Sequence, residues 1–292
     1  MTIEVLDTYA AMREILAAPQ PDRPDLLRKM IEPAKGMYRY FPGEVDLVQM
    51  HAMSGGFPID RDEEHCLAAL EELRAADAWG RIARALDEAV AVQREAVPEV
   101  VVPDLVVLLS LADPGDEHLM GPGLGMSANG SVSGYIWINL WPYPENLERI
   151  EATAVHELNH NLRYTTRPDF WNPATVTVGE HVVSEGLADA FARQLYGDEL
   201  GRARIGVAAL GDDAAFATVV SGLGTTGMQN FVAWVHGDSH AERFGATPVG
   251  LPTGAGYAAG NRIVDAYLAA TGKTAAEAVL AESAEVIRVA LQ

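Results

Sequence analysis

Val155-His156-Glu157-Leu158-Asn159-His160 sets two imidazoles four positions apart, with a carboxylate beside the first. On an α-helix this spacing puts both rings on one face, about 6 Å apart along the axis. Both can then reach one metal ion at about 2.0–2.1 Å. Glu157 points beside such an ion rather than at it. There its carboxylate can take a proton from a water that the metal activates. The chemistry this combination would serve is metal-assisted hydrolysis.

A catalytic zinc needs a third protein ligand and an open fourth position. Ser184-Glu185-Gly186-Leu187-Ala188-Asp189 offers Glu185, 25 positions after His160, which leaves room for a loop and an antiparallel return. Asp189 lies one turn further along the same face. It can accept the second ring N–H of a ligating histidine and so fix its tautomer. Gly186 costs a helix about 1 kcal/mol relative to Ala, and a close approach of another helix would account for it. Glu180 and His181 rival Glu185 as ligands. Glu180 precedes the established part of the helix, and His181 at four residues' offset also reads as a surface pair. Arg163, one turn from His160, is expected at the surface rather than as a substrate clamp. His51, His65 and His118 are scattered and default to surface or satisfied core.

The elements that must position these residues can be read from the pattern. Residues 1–97 are mostly helical, with loops at Pro42-Gly43 and Ser54-Gly55-Gly56 and a long amphipathic stretch over 62–96 that breaks near Trp79-Gly80. After Pro98 the β-branched run around Val100–Ala112 reads as a buried strand. A hairpin follows over 121–140, turning at Asn129-Gly130, and its second arm alternates Ile136, Ile138 and Leu140 with polar or aromatic neighbours. The motif helix spans about Asn146 to Tyr164. Its apolar face carries Leu147, Ile150, Ala154, Leu158 and Leu162. The second helix runs from about Glu180 to Tyr196 and stops at Gly197. Residues 198–230 read as helix with breaks and 236–256 as a loop. The end of the chain reads as two helices around Gly272. Gly121-Pro122-Gly123-Leu124-Gly125 lacks the Gly-Lys-Ser/Thr ending of a phosphate loop. The hairpin serves either structure alone or as an edge strand that pairs with a bound peptide.

Composition narrows the partners. The 292 residues carry 21 basic and 41 acidic side chains, a formal net charge of −20, with 49% hydrophobic residues. A phosphate-backbone binder needs a basic surface, so nucleic acid is not an expected partner. Anionic membranes are disfavoured for the same reason, and no apolar stretch is long enough to span a bilayer. The single cysteine, Cys66, excludes an intrachain disulfide and a cysteine zinc cluster. The first residues lack a secretory pattern, and a cytoplasmic location is expected.

H-E-x-x-H followed by E-x-x-x-D on a second helix resembles the gluzincin branch of zinc metallopeptidases, which includes the thermolysin-like enzymes. More closely, HELNHNLRY, VVSEGLADAFARQLYG and GAGYAAGNRIVDAYL resemble a bacterial family of predicted Zn-dependent proteases, over roughly residues 100–290. The resemblance implies Zn2+ held by His156, His160 and Glu185, with Glu157 as base and Asp189 behind the ligands. It implies an α+β, zincin-like fold: a small mixed sheet, the active-site helix and a helical second lobe. The chain then divides into a helical N-terminal region, 1–97, and a zincin-like catalytic domain, 98–292, which can pack as one continuous unit. A transition-state oxyanion needs a donor opposite the base. Tyr257, His236 and His240 are candidates, and the Gly-Tyr of the resemblance favours Tyr257. The expected substrate is a peptide or protein. The alternative is a non-catalytic regulatory or binding protein with a structural zinc, against which Glu157 speaks, because a structural site has no use for a base.

Overall fold

The computed structural model describes residues 1–41 and 43–292. The apolar run after Asp104 becomes the centre of a four-stranded sheet. Strand β1 (Ile3–Val5) pairs in parallel with β2 (Leu105–Leu111), whose other neighbour is β4 (Tyr135–Leu140), also parallel. Strand β3 (Met126–Asn129) runs antiparallel to β4, and the order is β1-β2-β4-β3. Strand β2 is buried on both faces, which is why its sequence is apolar without alternation. Its one polar residue, Ser110, donates to Asn139 Oδ1 at 2.6 Å, and the Asn139 amide donates to the Ser54 carbonyl at 2.8 Å.

The longer helices are α1 (Thr8–Ala17), α2 (Arg23–Ile31), α3 (Glu63–Ala75), α4 (Ala78–Ala96), α5 (Ile150–Thr166), α6 (Val178–Gly201), α7 (Asp213–Gly222), α8 (Ala255–Thr271) and α9 (Ser283–Ala290). Among the described residues the structure is therefore mixed α+β, mostly helical, with one small sheet. Among the described residues, no helix is long and apolar enough to cross a membrane.

The chain forms two units. The first comprises Met1–Glu88 and Val102–Glu157 and holds the whole sheet. The second comprises Ala89–Val101 and Leu158–Gln292 and is helical. Of the three dividing points, two fall inside helices, in α4 and in α5, and the third falls in the segment between α4 and β2. In the second unit α8 crosses α6 at Gly186 and Gly260. A Cβ on Gly186 would run into the Gly260 carbonyl, and one on Gly260 into the Val182 carbonyl. The glycine beside Glu185 is thus explained by backbone-to-backbone contact.

Several boundaries differ from the sequence reading. Three-residue β1 is too short to show alternation. The break in the long amphipathic stretch lies at Ala76-Asp77, where Asp77 takes φ 51°, and Trp79-Gly80 sit in the first turn of α4. Asp tolerates the left-handed region better than most residues. The motif helix starts at Ile150 after a separate short helix, Pro144–Leu147. Asn146, inside that short helix, is buried and donates to the Leu124 and Trp141 carbonyls, both at 3.0 Å, so it pins the preceding loop. Helix α6 is regular up to Gly197, which leaves helical geometry at φ 79°. The segment 236–256 includes a short helix, Asp238–Arg243, preceded by a π-helical turn, Val232–His236. Pro42, part of an expected loop, lies outside the described residues.

Candidate metal centre

Helix α5 is buried along most of its length. Ile150, Ala154, Val155, Leu158 and Leu162 supply its apolar packing. His156, Glu157, Asn159, His160, Asn161 and Arg163 are buried on it as well. Helix α6 is buried from Val178 to Ala192 and carries Glu180, His181, Ser184, Glu185 and Asp189 inside. Burying so many polar groups is costly unless each is paired or coordinates something.

His156, His160 and Glu185 each offer a ligand atom, and these atoms lie within 4.8 Å of one another. His160 Nε2 stands 3.4 Å from a Glu185 carboxylate oxygen. Two ligands of a tetrahedral zinc at about 2.05 Å are about 3.3 Å apart, so this pair already has the required separation. Two imidazoles and a carboxylate form a donor set suited to zinc. His156, His160 and Glu185 keep 7%, 4% and 6% of their surface exposed, so the cluster is buried but not sealed.

Glu157 is buried next to His156. Gly130, directly after β3, meets the helix at this point. A Cβ there would collide with the Glu157 backbone carbonyl. The end of the edge strand therefore lies against the residue expected to act as base.

His160 Nδ1 lies 2.8 Å from Ser184 Oγ. Ser184 also hydrogen-bonds the Tyr164 phenol, and the Tyr164 ring lies parallel to the His160 ring, 6.4 Å between centroids and 12° between planes. Burial pushes the Tyr164 phenol well above its ordinary pKa, so it stays protonated. The sequence reading missed both residues. Their signal is positional: Tyr164 lies one turn after His160, and Ser184 directly precedes Glu185.

Asp189 is fully buried. Its Oδ1 accepts from the Ala203 N–H at 3.1 Å and its Oδ2 from the Asn261 amide at 2.6 Å. Asn261 Oδ1 accepts from Arg202 at 2.7 Å. The carboxylate thus joins α6 to α8 one turn beyond Glu185.

The rivals of Glu185 have other surroundings. Both Glu180 oxygens accept from Arg163, Nε and Nη2 each at 2.9 Å. Arg163 is fully buried, not at the surface as expected. Its Nη1 donates to the Val279 and Ala281 carbonyls at 2.8 Å, and its guanidinium lies 4.4 Å from the Phe170 ring centre. It fastens α5 to the start of α6 and to the segment before α9. His181 packs edge-on to Phe231 at 4.8 Å, and burial lowers its pKa to about 4, opposed by Glu185 and Glu180. It is a neutral imidazole under ordinary conditions.

The three candidate oxyanion donors come together. The His236 ring is 4.9 Å from His240 and 5.6 Å from Tyr257, and it touches Phe231 at 5.0 Å. Phe231 thereby links this group to His181 on α6. The remaining histidines lie elsewhere: His51 Nε2 pairs with the Phe57 carbonyl at 2.9 Å, His65 packs on Trp141, and His118 sits in the short helix Glu117–Met120.

Comparison with known proteins identifies the family. The model of a family described as "Predicted Zn-dependent protease (DUF2268)" matches residues 82–288. The chain is 27% identical over 303 residues to the "Uncharacterized protein YjfC" of Bacillus subtilis (strain 168), covering 98% of this chain and 97% of the relative. No solved structure matches. The matched span contains both site helices and α8, and the chain belongs to this family of predicted Zn-dependent proteases.

Proposed function

We infer that the protein is a zinc-dependent metallopeptidase of zincin-like fold, in the gluzincin manner. The observation that carries this is the buried His156–His160–Glu185 cluster with the Glu157 carboxylate adjacent on the same helix. A bound zinc supplies a Lewis acid that polarises a carbonyl and acidifies water. His156, His160 and Glu185 hold the ion. Glu157 accepts a proton from the attacking water and later delivers it to the leaving amine. Tyr257, His236 or His240 donates to the carbonyl oxygen as its negative charge develops. Asp189 stiffens the helix pair behind Glu185. The substrate is a peptide or protein, neither nucleic acid nor membrane is a partner, and the protein works in the cytoplasm.

The edge strand β3 suits an extended peptide. Its residues are half-buried, and its far end abuts Glu157. A peptide added beside β3 satisfies its free edge and brings a backbone carbonyl towards the base.

Metal analysis of the purified full chain tests the reading. The wild type is expected to hold one zinc per chain, and Glu185→Ala to lose it. A wild type that binds no zinc, or a Glu185→Ala variant that binds it undiminished, would overturn the ligand assignment.

A further inference from the structure

A histidine that binds a metal through Nε2 must carry its proton on Nδ1, and the group facing Nδ1 decides how readily it does so. For His160 that group is the Ser184 hydroxyl, at 2.8 Å. Ser184 is almost fully buried, and its other partner is the Tyr164 phenol, whose ring lies parallel to the His160 ring.

We propose that Ser184 and Tyr164 form a hydroxyl relay that sets the tautomer and orientation of His160 and so tunes the metal affinity of the His156–His160–Glu185 cluster. The proposal rests on the metal-centre reading. A serine hydroxyl has one proton, so its two hydrogen bonds are correlated. In one direction His160 Nδ1–H donates to Ser184 Oγ, and Ser184 donates to Tyr164. Nε2 then presents a lone pair towards Glu185, as a metal ligand must. In the other direction Tyr164 donates to Ser184, and Ser184 donates to Nδ1. The His160 proton then sits on Nε2 and faces the Glu185 carboxylate across 3.4 Å. The first direction belongs to the metal-bound state and the second to the metal-free state. A carboxylate at this position would only accept, fixing the first direction permanently. A hydroxyl serves both, so Ser184 and Tyr164 are positioning residues that let the site exchange its metal.

The test is zinc affinity by chelator competition on the full chain, for wild type, Ser184→Ala, Tyr164→Phe and the double variant. Thermal melting of each metal-free protein is recorded alongside. Ser184→Ala is expected to weaken zinc binding about 10–100-fold. Tyr164→Phe keeps the stacked ring and removes only the hydroxyl, and is expected to weaken binding about 3–10-fold. In the Ser184→Ala background Tyr164→Phe is expected to add nothing, because the relay is already cut. Should Ser184→Ala fail to fold, Tyr164→Phe alone decides: a wild-type affinity overturns the relay. So do Ser184→Ala within about twofold of wild type, and additive losses in the double variant. A wild type that binds no zinc overturns the metal reading as well, which separates the two failures.

Discussion

At the scale of single residues, the chemistry sits in buried polar groups whose neighbours give each a different task. Glu157, Glu180 and Glu185 are all buried. Glu180 is neutralised by a bidentate arginine, Glu185 faces His160, and Glu157 abuts the end of an edge strand. Breaking a buried pair leaves an uncompensated charge, so Arg163→Ala is expected to destabilise the fold by about 3–5 kcal/mol, read as a drop in melting temperature. An unchanged melting temperature would mean that Glu180 finds another partner. The motif itself was legible in the sequence, because ligand spacing on a helix is a local property. The fates of Glu180 and Arg163 were not. Seventeen positions separate this pair, and only the packing of α5 against α6 shows that they meet. Ser184 escaped notice because a serine before an acidic residue has no distinguishing pattern until its contact with His160 is seen.

At the scale of elements, the crossing of α6 and α8 holds Glu185 in place. Gly186 and Gly260 let the two backbones touch, and Asp189 and Asn261 tie them one turn further on. Gly186→Ala is expected to force the helices apart at a cost of about 1–3 kcal/mol. Because the displaced residue adjoins Glu185, zinc affinity should fall with the melting temperature. A variant with lowered stability and intact zinc affinity would show that the crossing serves the fold alone. The helix Gly could be flagged from sequence by its propensity cost, while its partner Gly260 could not. Strand β2 and the hairpin were readable from β-branched density and alternation. Strand β1 was not, since its three residues become a strand only by pairing with β2, about a hundred positions away.

At the scale of the whole molecule, charge and pH set the conditions of action. With 41 acidic and 21 basic residues, the net charge is expected to disfavour acidic peptides. Matched basic peptides should be cleaved faster, with the difference shrinking in high salt; a preference for the acidic set would contradict this. Stability should fall on mild acidification. Burial lowers the His51 pKa from 6.5 to about 4, so the folded state holds this imidazole neutral. The unfolded chain takes up the proton between these values, so the stabilisation is complete above about pH 6.5 and is lost as pH falls towards 4, by about 3 kcal/mol. His51→Gln should flatten that part of the melting-temperature profile, and an equally steep profile in the variant would exclude His51 as its source. The most direct measurement is cleavage of a peptide library by zinc-loaded wild type and by Glu157→Gln at equal zinc content. Cleavage by the wild type and a loss of about 100-fold or more in the variant, with its zinc retained, is the predicted result. No cleavage by zinc-loaded wild type, or undiminished cleavage by Glu157→Gln, would contradict it.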